Sequence, residues 1–284
     1  MGLTIGIVGM GWVGSSVAIS LLHQGLAERL LLNDLRQEIA EGEAMDLEHG
    51  SLFYDSRVRV RSASVETLAE AADLVVLAAG RGGSAGESRL ALLRDNAALA
   101  RELGRSLRGY RGVVVVVTNP VDVLTSVVTE ASGLPPRRVI GTGTMLDTAR
   151  LRSELAGELG LHPQSVHAQV VGEHGDSSVC IWSGARAGGR ILRRWPGWGA
   201  SREEEIGERV RRAAYEIIER KGATNHAIGV VTASLVRSIL RNQHRVQTVS
   251  RVQEGAAGAD GVALSRPSVV DGDGAATVVE PDLE

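Results

Sequence analysis

Two short segments hold side chains that could do chemistry together: Leu146-Asp147-Thr148-Ala149-Arg150 and Gly172-Glu173-His174-Gly175-Asp176. A histidine is the natural proton carrier near neutral pH. A carboxylate bonded to one ring nitrogen fixes its tautomer and favours the charged ring. A guanidinium can grip a carboxylate on a substrate. Asp147 and Arg150 are three residues apart in a helical pattern, so both project from one face. Together with His174 they form a candidate set for moving a proton and holding an anion. Alone, a histidine in an apolar stretch is more often a core residue. The meaning comes from what precedes it.

The chain begins with an apolar strand that runs into Gly-x-Gly-x-x-Gly at Gly9, Gly11 and Gly14, and an apolar helix follows. Gly9 permits the tight turn, Gly11 lets the backbone approach a pyrophosphate, and Gly14 lets the helix pack on the strand. The helix N-terminus, at Trp12 and Val13, presents free amides and a positive dipole end to phosphates. The next apolar run, Leu30-Leu31-Leu32, ends in Asn33-Asp34, twenty residues beyond Gly14. An acid at Asp34 takes the adenosine ribose hydroxyls and repels a 2′-phosphate, which implies NAD rather than NADP.

Up to about residue 140, short β-branched runs alternate with helical stretches. The runs are Thr4–Val8, Leu30–Asn33, Val58–Arg61, Leu74–Ala78, Val113–Val117 and Arg138–Ile140. The alternation predicts a parallel sheet covered on both faces. Val113–Val117 ends at Thr118-Asn119-Pro120-Val121-Asp122, on the carboxyl edge where such folds bind ligands. From about residue 145 the texture changes. A helix is predicted at Met145–Leu159, then alternating segments at Val166–Val171 and Val179–Trp182. Two helices follow, and then antiparallel strands at Arg245–Val252, Gly261–Ser265, Ser268–Asp271 and Ala276–Glu280. Arg186–Ala200 reads as irregular. The expected architecture is α/β: a Rossmann-type parallel sheet over residues 1–142, followed by a mixed α+β substrate domain over 143–284.

Composition sets limits. The chain has 284 residues, a net charge of −3 and one cysteine, Cys180. There is no long basic run to suggest nucleic acid, no apolar run of membrane-crossing length and no Cys/His cluster with metal-site spacing. The apolar strand starts by Leu3, so a signal peptide is not expected. A single cysteine excludes an intramolecular disulfide and suits the cytoplasm.

With these residues in view, the chain resembles the lactate/malate dehydrogenase family over almost its whole length. The matching pieces are GMGWVG, the acid in NDL, EGEAMDLEHG, AGESRL, TNPVD, IGTGTMLDTARLR, VVGEHGDSS and IIERKGAT. TGTMLDTARLR and GEHGDSS are most similar to the bacterial L-lactate branch. The resemblance implies reduction of pyruvate to L-lactate with NADH. By it, His174 is the acid/base, Asp147 orients it and Arg150 holds the substrate carboxylate through a planar two-point contact. Arg89 is the mobile-loop arginine that polarises the carbonyl when the loop closes. Asn119 holds the nicotinamide and the reacting oxygen, and Thr224 lies on the substrate-pocket wall.

Two departures matter. Counting back from Arg89 without a gap, Gly83 falls where lactate enzymes carry Gln and malate enzymes Arg. A second substrate carboxylate would therefore face no cation, and an unpaired charge in a closed site is costly. Arg81 could serve only on an unusual loop path. Pyruvate remains the default, with malate-type or broader 2-oxo acid activity as the alternative. Second, the chain stops at Pro281-Asp282-Leu283-Glu284, where family members continue into a final helix near the mobile loop. Weaker loop closure is then expected, and an NAD-binding protein with little turnover stays open.

Arg152 is two residues from Arg150, about 200° around a helix, so it points elsewhere. His167 is an odd number of residues before His174, which in an extended segment means opposite faces. In bacterial lactate dehydrogenases an Arg and a His at the matching positions form an anion site between subunits that takes fructose 1,6-bisphosphate. The resemblance thus implies a homotetramer with this effector. The alternative is two surface residues with no ligand.

Overall fold

The computed structural model describes residues 2–54, 58–83, 88–255 and 258–281. β1 (Thr4–Val8) leads into α1 (Trp12–His23), β2 (Arg29–Asn33), α2 (Gln37–His49), β3 (Arg59–Ser62), α3 (Val65–Ala71) and β4 (Leu74–Leu77). α4 (Arg89–Ser106), β5 (Val113–Val116), α5 (Val121–Ser132) and β6 (Val139–Gly141) complete the parallel part. β1 pairs with β2 on one side and β4 on the other, both parallel. Chain order reverses between β1 and β4, so the loops after them flank the crevice where ligands enter such sheets. Strand residues alternate between two cores. Val113 and Val115 join the layer under α1, α2 and a later helix, while Val114 and Val116 join the layer with α3, α4 and α5. A strand buried on both faces must be apolar at every position, which is why it reads as a continuous valine run.

α6 (Met145–Leu159) crosses to a three-stranded sheet of β7 (Val166–Val171), β8 (Val179–Ala187) and β9 (Arg190–Ile191). α7 (Ala200–Lys221) packs there on α6 around a third core that includes Leu151, Leu155, Ile206 and Val210. α8 (His226–Leu240) returns to lie on α1. The crossing is close: a Cβ at Gly229 would sit 2.6 Å from the Ser16 carbonyl oxygen.

β10 (Arg245–Val252), β11 (Ala263–Asp271) and β12 (Gly274–Val278) then add antiparallel strands to the first sheet rather than forming a separate one. Its order is β12-β11-β10-β6-β5-β4-β1-β2-β3 among the described residues. The expected break between Ser265 and Ser268 is absent, and β11 runs through Pro267. The Pro267 carbonyl accepts from Val279, just past the end of β12, so the N–H that proline lacks would have faced the edge of that pairing. None of the helical stretches that the sequence predicts in this half (13–24, 36–49, 89–107 and 121–131) covers α3. Its signal is local: Ser64 Oγ caps the helix by accepting from the Thr67 amide at 3.3 Å. The segment expected to be irregular begins as the end of β8 and continues through β9 and a short 3-10 turn at Leu192–Arg194.

Candidate active site

Gly9 has φ +95°, a conformation that favours glycine, and a Cβ on it would lie 2.4 Å from Ala79 Cα. A Cβ on Gly14 would lie 1.8 Å from the Gly9 carbonyl oxygen. These two glycines close the turn between β1 and α1. Gly11 differs. A Cβ there would meet nothing within 4 Å, so its backbone faces an open cradle at the start of α1. Gly11 is also the N-cap and gives no side-chain hydrogen bond to the helix amides. Trp12 is exposed and Val13 half-buried at that end. Asp34 directly follows β2, and its two carboxylate oxygens accept the backbone amides of Met10 (2.8 Å) and Arg36 (3.0 Å). It lines a cavity of about 320 Å³ with Asn33, Leu35, Gln37, Ser62 and Ser64. An anion cradle beside a carboxylate-edged cavity fits the diphosphate and ribose of a dinucleotide.

The second cluster is built by α6 and the loop after β7. Asp147 and Arg150 share one face of α6, and Arg150 Nη1 donates to Asp147 Oδ1 at 2.9 Å. The other oxygen, Oδ2, is 2.6 Å from His174 Nδ1. Asp147 is buried with its side chain 10% exposed, whereas the imidazole keeps 24%. His174 Nε2 has no hydrogen-bond partner among the described residues. Burial alone would lower the His174 pKa, but the Asp147 bond and charge, with the Asp122 charge, outweigh burial and Arg150 and raise it. Burial would raise Asp147, but His174 and Arg150 hold it below the usual carboxylate range. The surroundings thus favour the imidazolium more than water does.

The two halves of this cluster meet through Ser265 on β11. Gly172, at φ +90°, turns the chain out of β7 and exchanges both backbone hydrogen bonds with Ser265 at 2.9 Å. The Ser265 hydroxyl accepts the Thr144 amide at 3.0 Å, just before α6. One residue thus clamps the base of the His174 loop to the start of the Asp147 helix. The odd spacing of His167 and His174 does not set their faces, because β7 ends at Val171 and the turn at Gly172 cancels strand parity. The two histidines nonetheless lie at separate places.

The sequence-based set omits Asp122. It stands in the first turn of α5, 7% exposed, and its Oδ2 accepts the His174 backbone amide at 2.7 Å. Its only sequence signal is its place after Asn119-Pro120 on the carboxyl edge.

Asn119 is exposed at the end of β5, and its carbonyl accepts from Asn96 Nδ2 at 3.4 Å. Asn96, buried on α4, also bonds the amide and carbonyl of Arg81. The Arg81 guanidinium is paired with Asp95, at 2.6 Å from Oδ2, so this cation is already engaged. Gly83 is exposed. Residues 84–87 and the Arg89 side chain lie outside the described residues; the Arg89 backbone begins α4. Thr224 is half-buried between α7 and α8, next to Asn225, whose Nδ2 donates to Ser16 Oγ of α1 at 2.9 Å. Burial pushes the Cys180 thiol up to about 11, which makes it a poor nucleophile.

Family models for the lactate/malate dehydrogenase NAD-binding domain and its α/β C-terminal domain match residues 3–141 and 144–284. The chain belongs to the lactate/malate dehydrogenase family. Among relatives in that family, an L-lactate dehydrogenase of Salinibacter ruber is 46% identical over 99% of this chain and 90% of its own length. One from Fervidobacterium nodosum is 42% identical over 99% of this chain and 91% of its own. The crystal structure of a minor L-lactate dehydrogenase from Enterococcus mundtii superposes with a TM-score of 0.96 at 39% identity, covering 99% of this chain and 91% of that one.

On the far side of α6 from the Asp147–Arg150 face, this family member has a third polar feature. Arg152 and His167 line one cavity of about 290 Å³, with Gln169 and Gly184. Arg152 Nε donates to the Ala168 carbonyl at 3.0 Å. Its pKa is lowered by burial and then by the charge of Arg245, so cationic groups converge there. Among the described residues no helix is long and apolar enough to cross a membrane, and no group of three His, Cys, Asp or Glu could hold a metal ion.

Proposed function

We propose that this chain is an NAD-dependent L-lactate dehydrogenase that interconverts pyruvate and L-lactate. The observation that carries the reading is the contiguous His174–Asp147–Arg150 cluster beside a dinucleotide-binding fold. Residues 1–142 serve the cofactor, through the turn that Gly9 and Gly14 close, the open backbone at Gly11 and the helix start at Trp12 and Val13, with Asp34 for the ribose and Asn119 for the nicotinamide. Residues 143–284 serve the acid. When bound, NADH supplies the hydride. Arg150 holds the substrate carboxylate with the guanidinium edge that Asp147 does not use, and Thr224 bounds the pocket. Protonated His174 gives its Nε2 proton to the carbonyl oxygen, with Arg89 and Asn119 polarising that oxygen, and recovers the proton in the reverse direction. Its raised pKa extends the charged form to higher pH than a free imidazole, so pyruvate reduction falls as pH rises through that pKa.

Gly83 supplies no cation for a second carboxylate, and Arg81 is engaged by Asp95, so oxaloacetate is a poor substrate and larger monocarboxylic 2-oxo acids are admitted. The test is steady-state turnover of pyruvate, 2-oxobutyrate, 2-oxo-4-methylpentanoate, phenylpyruvate and oxaloacetate. Pyruvate is expected to lead, with NADH far better than NADPH because of Asp34. No turnover of any acid would leave only an NAD-binding protein, and oxaloacetate in front would overturn the specificity.

The proposal includes a cytoplasmic homotetramer in which fructose 1,6-bisphosphate occupies the Arg152–His167 cavity and favours the active arrangement. Pyruvate saturation is then expected to shift to lower concentration with the bisphosphate. That shift disappears in Arg152→Ala/His167→Ala. Identical curves in all four conditions would remove the effector from the account.

A further inference from the structure

The His174 loop is held at its backbone by a buried carboxylate that belongs to neither catalytic segment. Asp122 lies in the first turn of α5, where an acid is favoured by the helix dipole. It does not cap its own helix. Its Oδ2 instead accepts the backbone amide of His174, fifty-two residues away, at 2.7 Å. The other oxygen, Oδ1, is buried without a hydrogen-bond partner. So is Ser250 Oγ on β10, whose hydroxyl is near enough to favour the charged carboxylate but does not meet it in hydrogen-bond geometry. A buried polar atom left unpaired costs free energy, and such sites call for an explanation.

We propose that Asp122 is a positioning residue for proton transfer: it anchors the His174 backbone against α5 and sets a second negative charge behind the imidazole. The proposal rests on His174 being the acid/base. Among the described residues, the charged groups near the ring are these. Asp147 and Arg150 face it from α6, Asp122 from α5, and Glu173 precedes it in its own loop. Arg150 disfavours the imidazolium; Asp147 and Asp122 favour it. Asp147 bonds the ring directly and fixes its tautomer. Asp122 acts through the main chain and through space, so it can tune the proton affinity without touching the proton's path.

Burial pushes Asp122 up, while Asp147 is held low. On acidification Asp122 therefore loses its charge before Asp147 does. Its influence therefore fades on the acid side before that of Asp147 does.

The experiment separates charge from anchoring. In Asp122→Asn the amide oxygen still accepts the His174 N–H, but the charge is gone. The His174 pKa is read by NMR titration of the ring, its signal identified by its absence in His174→Gln. It is expected to fall by about one pH unit, the scale on which one nearby charge acts. The alkaline limb of kcat/KM for pyruvate should move down with it, with NADH affinity unchanged. Asp122→Glu, which keeps the charge, should return the limb towards wild type. Asp122→Ser is the second uncharged variant should Asp122→Asn not fold. A ring that titrates as in wild type in a folded uncharged variant overturns the proposal, as does loss of melting temperature with the pKa unmoved. The NMR reading needs no turnover, so a wild type that fails to reduce pyruvate would sink the functional assignment while leaving this one to be judged.

Discussion

His174→Ala is expected to cut kcat for pyruvate reduction by about 10²–10⁴-fold, the usual contribution of a positioned general acid. NADH affinity should stay near wild type. The two outcomes separate because the groups sit on different elements. His174 lies in the loop after β7, held by Asp147 on α6 and tied to β11 through Gly172 and Ser265. The dinucleotide cradle is formed by Gly9, Gly11 and Gly14 between β1 and α1. Removing the ring leaves Asp147 with Arg150 as its remaining ion-pair partner, so the buried carboxylate is not stranded. Single-turnover measurements with prebound NADH, alongside cofactor binding by fluorescence, check this. A variant that keeps most of its kcat would end the acid/base assignment; one that loses NADH affinity to the same degree would show that the loop and the cradle are not independent.

Much of this geometry is legible in the chain because it is local. The spacing of Asp147 and Arg150 on one helix needs only the helical period, and the observed α6 limits match the periodicity. The glycine roles follow from sterics: the structure shows Gly9 and Gly14 with no room for a Cβ and Gly11 with open space. What the sequence hides is contact between distant segments. Ser265 clamps the His174 loop to α6, yet nothing near it distinguishes it from other serines. Asp122 reaches His174 across fifty-two positions. Pro267 reads as a strand breaker because local rules cannot tell that its missing N–H falls where β12 ends. The final three strands read as part of a separate unit, and only pairing of Ser250 with Gly141 reveals that they extend the first sheet. Arg81 reads as a candidate cation for the substrate loop, and its engagement by Asp95 appears only when α4 is in place.

Arg150→Lys is the second large effect. Arginine presents a rigid planar fork to a carboxylate, whereas lysine offers a mobile point charge. Arg150 uses one guanidinium nitrogen on Asp147 Oδ1 at 2.9 Å, and in the proposed function the rest of the fork meets the substrate carboxylate. Its side chain is 13% exposed, so the contact with substrate would form largely out of water, where charge-assisted bonds are strong. Lysine cannot serve Asp147 and both substrate oxygens at once. Losing one charged hydrogen bond of about 1.5–3 kcal/mol corresponds to roughly a 10–100-fold rise in KM for pyruvate. The positive charge is retained, so the pH at which reduction falls should stay near that of wild type. That combination distinguishes substrate gripping from a change in His174. The check is a pH series of kcat and KM, with the affinity of oxamate for the NADH-loaded enzyme as a binding control. An unchanged KM and oxamate affinity would remove Arg150 from substrate binding, and a shifted pH limb at constant KM would recast it as an electrostatic neighbour of His174.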